Sequence, residues 1–156
     1  MRLLTNAAFC CLLLACLPDV PSRACTSFCL DTPDGPVFAA NLDLATGEGH
    51  LFVNRRGIAK EGYRPSKTGE TAKWVAKYGS MTFTLAGREL PWSGMNEAGL
   101  VRSTMQLNAS KGPGPDQRPP LGEAYLVQYL LDTCATVQEV IRAVPPIRLA
   151  PYECAS

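Results

Sequence analysis

Cys25 follows directly on Ser22 and Ala24, two small residues in the spacing that a signal peptidase accepts. If the chain is cut after Ala24, one residue offers both a thiol and an α-amine, the amine with an ordinary pKa of about 7.7–8.0. Such an amine can take the thiol's proton and later hand it to a leaving group, so a cysteine at a chain start needs no histidine to act as a nucleophile. Asp43 is a carboxylate placed to orient that amine and to stabilise its charged form. The sequence has a single histidine, His50, which excludes a zinc site built on several histidines. His50 could pair with Cys25 as in papain-type enzymes, but Gly47-Glu48-Gly49-His50 reads as an exposed loop. The bland alternative for Cys25 is a buried strand cysteine behind a signal peptide.

The segment that precedes Cys25 sets its compartment. Arg2 is followed by an uncharged apolar stretch from Ala7 to Leu17, short for a bilayer crossing of about 20 residues and right for a signal-peptide core. Residues 1–24 are therefore expected to be a signal peptide, and residues 25–156 the exported chain, periplasmic or secreted, with no membrane span. Leu13-Leu14-Ala15-Cys16 also has the form of a lipoprotein box, so a lipid anchor on Cys16 is the lesser alternative. Cleavage after Ala24 removes Arg2, Arg23 and Asp19 from 15 basic and 14 acidic residues, leaving equal numbers of each. With no basic run either, nothing suggests a nucleic-acid partner. Cys25, Cys29, Cys134 and Cys154 remain. Buried thiols and disulfides are both open for them, although Cys25 and Cys29 on one strand are poorly placed to bridge each other.

With 46% hydrophobic and 19% charged residues the chain is a folded domain, and 13 glycines with 13 prolines favour strands and turns over long helices. Cys25–Asp31 and Pro36–Asp43 read as paired strands joined by a three-residue loop, Pro33-Asp34-Gly35. That register sets Cys25 opposite Asp43 and Ser27 opposite Asn41, and collects Thr26, Phe28, Leu30, Phe38, Ala40 and Leu42 on a core-like face. Further strands are expected at Leu51–Asn54, near Trp74-Val75, at Ser80–Leu85 and at Leu100–Leu107, with a turn over Ser93–Gly99 and a long loop from Asn108 to Pro120. Helices come late: Gly122–Cys134 is amphipathic, and Thr136 with Glu139 forms a capping box for a second helix ending before Pro145-Pro146. Strands first and helices last indicate an α+β domain.

Cys25-Thr26-Ser27-Phe28 followed by Asn41-Leu42-Asp43 resembles the opening of the choloylglycine hydrolase family, which includes penicillin V acylases, bile salt hydrolases and bacterial linear amide C–N hydrolases. Val53-Asn54-Arg55-Arg56-Gly57, Lys77-Tyr78-Gly79-Ser80-Met81-Thr82-Phe83, Gly94-Met95-Asn96-Glu97-Ala98-Gly99-Leu100 and Gln128-Tyr129-Leu130-Leu131-Asp132 are similar in the same order. The resemblance implies an N-terminal-nucleophile hydrolase with an αββα sandwich, no cofactor, and a small-molecule amide as substrate. By position it makes Cys25 the nucleophile that forms an acyl-thioester and Asp43 the acid that holds its amine. It also makes Asn41 and Gln106 substrate-binding, with Gln106 near the place of an oxyanion-hole asparagine. Ala40 stands where many members have a basic residue. Members are longer and can be oligomeric, and their later asparagine and arginine site residues have no counterpart here. This stretch is therefore expected to be the N-terminal part of the fold, incomplete at its C-terminus, inactive alone and prone to aggregate through unpaired strand edges.

Other readings use the same residues. The chain could be a non-catalytic relic of that fold, or a small secreted binding domain held by disulfides such as Cys25–Cys134. Glu97 could pair with Asp43 but fits a solvent-facing turn better. Trp74 and Trp92 could line an acyl pocket or simply pack.

Overall fold

The computed structural model describes residues 25–44, 47–62, 71–85, 87–88, 90–105 and 110–150. The first element is a hairpin of β1 (Thr26–Thr32) and β2 (Gly35–Asn41), antiparallel, with Thr26 opposite Asn41 and Thr32 opposite Gly35. The loop is therefore Pro33-Asp34 alone, one residue shorter than expected. Gly35 has left the turn for the ladder at φ 114°, a conformation open to glycine, and the Thr32 hydroxyl donates to its carbonyl at 2.6 Å. The slip of one residue places Ser27 opposite Ala40 instead of Asn41. It also divides the apolar residues: Phe28 and Leu30 share a face with Val37 and Ala39, while Phe38 sides with Cys29. No single core-like face results, and Phe28, Leu30, Val37 and Phe38 are all exposed.

Next comes a four-stranded antiparallel sheet in the order β3-β6-β7-β8, made of β3 (His50–Asn54), β6 (Ser80–Thr84), β7 (Ser93–Asn96) and β8 (Val101–Ser103). His50 thus opens a strand and is not in a loop. The expected turn over Ser93–Gly99 shrinks to Glu97-Ala98-Gly99, because Ser93–Asn96 pairs with β6. The alternation in β6 is as expected, but its inner face is the polar one: Ser80, Thr82 and Thr84 are buried, and Met81 and Phe83 are not. Cross-strand pairing extends the outer face to Leu51, Val53, Met95 and Val101, so six large apolar side chains lie together at 37–66% exposure.

A second hairpin, β4 (Ala59–Glu61) with β5 (Lys73–Val75), flanks the sheet. β4 went unforeseen, as did β9 (Pro120–Gly122) and β10 (Arg148–Ala150), which pair in parallel. Between them the chain makes a 3-10 turn at Glu123–Tyr125 and then α1 (Leu126–Thr133) and α2 (Val137–Ala143). α2 is capped as its sequence predicts, with the Thr136 hydroxyl accepting from the Glu139 amide at 3.2 Å; the Glu139 carboxylate reaches back to the Ala135 amide at 2.7 Å.

α1 lies against β5, β7 and β8. Gly94 of β7 permits this approach: a Cβ there would come within 2.6 Å of the Met81 carbonyl oxygen and 2.9 Å of Leu131 Cδ1. The apolar core gathers around the helix, with Ala72, Trp74, Leu121 and Ile147 on one side and Leu100, Leu130 and Cys134 on the other. Among the described residues no helix is long and apolar enough to cross a membrane.

Candidate active site

Cys25 stands just before β1, partly buried, with a free thiol. The last rung of the hairpin ladder joins Thr26 to Asn41, and the chain then leaves β2 through Leu42 to Asp43. The expected rung between Cys25 and Asp43 does not form, because the ladder ends one residue earlier in the shifted register. Cys25 and Asp43 nonetheless lie within two residues of the same rung. Asn41 Nδ2 donates to Asp43 Oδ1 at 2.7 Å. That bond holds one carboxylate oxygen and turns the group at the hairpin's open end, so two of the anticipated residues act as a unit.

Ser27 follows Cys25 by two residues and so shares its side of β1. Its hydroxyl donates to the Met105 thioether at 3.4 Å, which brings the end of the β8 segment to the hairpin. A backbone bond from Thr104 N to the Trp92 carbonyl at 2.8 Å extends the β7–β8 ladder toward that point. Met105 was not anticipated as a site residue; only its place beside Gln106 marked it. Gln106 itself lies outside the described residues, as do residues 1–24 and Cys154.

The competing assignments fare differently. His50 is exposed on β3, opposite Thr84, with its ring 6.0 Å from that of Phe52. The Glu97 carboxylate accepts from the Gly79 amide at 3.0 Å and pairs with Arg56 at 3.3 Å, so it is occupied in its own turn and not with Asp43. Trp74 is buried, its ring edge-to-face with Tyr129 and its indole N–H donating to Asp132 at 2.7 Å, which makes it core. Cys25, Cys29 and Cys134 are all free thiols, so no Cys25–Cys134 disulfide holds the domain.

Spacing alone also left the buried polar centre unseen. Asp132 is fully buried; besides Trp74 it accepts from Gln128 Nε2 at 2.8 Å and faces the Lys60 ammonium at 3.1 Å. Gln128 and Asn54 both donate to the Ser80 hydroxyl at 3.3 Å, and Asn54 donates to Thr82 at 3.0 Å. These bonds explain why the sheet turns its serine and threonine side inward: that face meets the polar stripe of α1, and each buried polar group needs a partner. Asn96 does similar work for the turn after β7, donating to the Leu131 and Cys134 carbonyls and accepting from the Ala98 and Leu100 amides.

No family model matches the chain. Among curated proteins, the penicillin V acylase of Pectobacterium atrosepticum is 31% identical over 138 residues, covering 81% of this chain and 36% of that protein. Among solved structures, the penicillin V acylase from Agrobacterium tumefaciens superposes with a TM-score of 0.56 at 34% identity, over 65% of this chain and 32% of that one. A cysteine-to-alanine mutant of the conjugated bile acid hydrolase from Clostridium perfringens superposes at 0.61 with 18% identity, over 81% and 39%, which speaks to the fold alone. The chain thus spans about a third of the length of the relatives it matches. The fold is the α+β fold of these hydrolases over the part the chain covers, in keeping with the ordered run of similar segments.

Proposed function

We propose that this chain, a member of the choloylglycine hydrolase family, carries the nucleophile of an exported hydrolase of linear amide bonds. One observation carries the reading. A cysteine directly behind Ser22-Arg23-Ala24 shares the open end of a hairpin with an asparagine–aspartate pair joined at 2.7 Å. Cleavage after Ala24 gives Cys25 its α-amine. The neutral amine removes the proton from Sγ, and the thiolate attacks the amide carbonyl carbon. As the C–N bond breaks, the protonated amine delivers that proton to the departing nitrogen, and the acyl group remains on Sγ as a thioester. Water then adds to the thioester carbon, with the amine taking its proton; the acid leaves and Sγ recovers a proton.

Asp43, turned by Asn41, orients the amine and favours its charged form. Asn41 and Gln106 are assigned to substrate binding, with Gln106 at the sequence position of the family's oxyanion-hole asparagine, where a donor would meet the developing negative charge. The relatives named penicillin V acylase support a substrate with a linear amide, such as the side-chain amide of penicillin V. Turnover belongs to the polypeptide in which Cys25 and Asp43 meet the family's remaining site residues.

The test begins with intact mass of the exported product, which should start at Cys25. In the catalytically complete polypeptide, Cys25→Ser should lower amide turnover by orders of magnitude, because a hydroxyl with a high pKa is a poor nucleophile beside the same amine. Asp43→Asn should cost at least about tenfold, roughly 1.4 kcal/mol of barrier. Near-normal turnover by Cys25→Ser, or a mature chain that starts elsewhere, ends the proposal. A smaller loss in Asp43→Asn makes that carboxylate structural.

A further inference from the structure

We propose that the open cleft between β5, α1 and α2 is a second small-molecule site, one that binds a monoanionic organic acid with an apolar, ring-sized body. The cleft encloses about 560 Å³, within the roughly 300–1,000 Å³ usual for ligand sites, and none of its lining comes from the β1–β2 hairpin. Lys73, Lys77 and Arg142 line it. Among the described residues none of these three cations has a side-chain hydrogen bond or an ion pair. Other cations do find carboxylates: Lys60 pairs with Asp132, Arg56 with Glu97 and Arg118 with Asp116. Glu139 is the one carboxylate in the lining, and it already accepts from the Ala135 amide at the start of α2. The cleft therefore holds a local excess of positive charge in a chain whose overall balance is near zero.

The wall behind those cations is not polar. Trp74 and Tyr129 meet edge-to-face with centroids 5.4 Å apart, and buried Cys134 adds a sulfur surface beside them. Burial pushes the Tyr129 hydroxyl above its ordinary range, as expected for a poorly hydrated wall. A small hydrated anion would gain the charges and waste the aromatic surface; a neutral ring would do the reverse. A carboxylate on a ring uses both. Nothing in this argument draws on Cys25, so the site stands or falls independently of the proposed hydrolysis.

The experiment titrates phenylacetate into the Cys25→Ala chain, which has no nucleophile, by calorimetry and by following the Trp74 indole N–H in nitrogen-edited NMR. Acetate and phenylacetamide are the controls for body and charge. Phenylacetate should bind saturably and move the Trp74 resonance, and both controls should bind at least tenfold more weakly. Lys73→Gln with Arg142→Gln should weaken binding by about two- to fivefold for each cation removed, the range of an exposed ion pair. Lys77→Gln alone provides a second variant at an exposed position should the double one misfold. Absence of saturation in the millimolar range, equal binding of either control, or unchanged affinity in the variants would overturn the site. Failure of the hydrolase reading would appear instead as amide turnover surviving Cys25→Ser, with this binding unaltered.

Discussion

Replacing Asp132 by Asn tests whether the buried polar centre holds the helix to the sheet. Asp132 has no exposed surface, and its partner Lys60 keeps only 7% of its side chain in contact with solvent. An asparagine fills the same volume and leaves an oxygen for the Trp74 indole N–H. Its amide group, however, then confronts the Gln128 amide N–H that now donates at 2.8 Å, and the Lys60 ammonium loses the buried Asp132 carboxylate at 3.1 Å. Removing one partner of a buried ion pair costs about 3–5 kcal/mol, and one orphaned buried donor costs about 1–3 kcal/mol. These overlap, so a total of about 4 kcal/mol is expected, a large part of the roughly 5–15 kcal/mol that holds a domain together. Lys60→Met in the same chain removes the buried charge that faced Asp132 and should restore at least about 1.5 kcal/mol, a coupling that only contacting residues show. Guanidinium unfolding followed by tryptophan fluorescence reads both numbers. Hydrogen exchange of the α1 peptide, read by mass spectrometry, reports the same loosening if the chain self-associates. A loss below about 1 kcal/mol in Asp132→Asn, or strict additivity of the two substitutions, would refute the reasoning.

Three further outcomes follow from the geometry. Gly94→Ala should destabilise by about 1–3 kcal/mol, since its Cβ would stand 2.6 Å from the Met81 backbone oxygen on β6 and 2.9 Å from Leu131 Cδ1 on α1; an unchanged unfolding midpoint would show that neither neighbour is packed so tightly against β7. Tyr129 has its pKa raised from 10.0 by burial, so the stability it contributes is complete below that value and is lost as pH climbs through the higher folded one. Tyr129→Phe should flatten this alkaline decline, and identical pH profiles for the two chains would contradict the shift. The bare outer face of the β3-β6-β7-β8 sheet should bind an apolar dye, and Val53→Thr with Phe83→Thr should weaken the signal at a stability change within about 0.5 kcal/mol. A penalty above about 3 kcal/mol would mean that the face is covered.

Much of the candidate site is legible in the sequence, because it rests on residue type and short spacing. A cysteine behind Ser22 and Ala24, and an aspartate two residues past an asparagine, can be recognised without knowing what lies nearby in space. The capping of α2 is equally local: Thr136 and Glu139 are three residues apart, and one turn of helix brings them together. The hairpin register is a different matter. Pro33-Asp34-Gly35 suits a three-residue loop as well as a two-residue one followed by a paired glycine, and local chemistry does not choose between them. Strand alternation likewise reveals that β6 has two faces without saying which is inside. That choice depends on Gln128 and Asp132, four residues apart on α1, needing partners on the sheet and the adjoining strands. Ser80, Trp74 and Lys60 supply those partners from 48, 58 and 72 positions away in the chain. Sequence spacing determined which residues could do chemistry and where a helix would start. The tertiary fold decided which polar groups are buried and which apolar ones stay bare, because the cost of an unpaired buried group is set by neighbours far away along the chain.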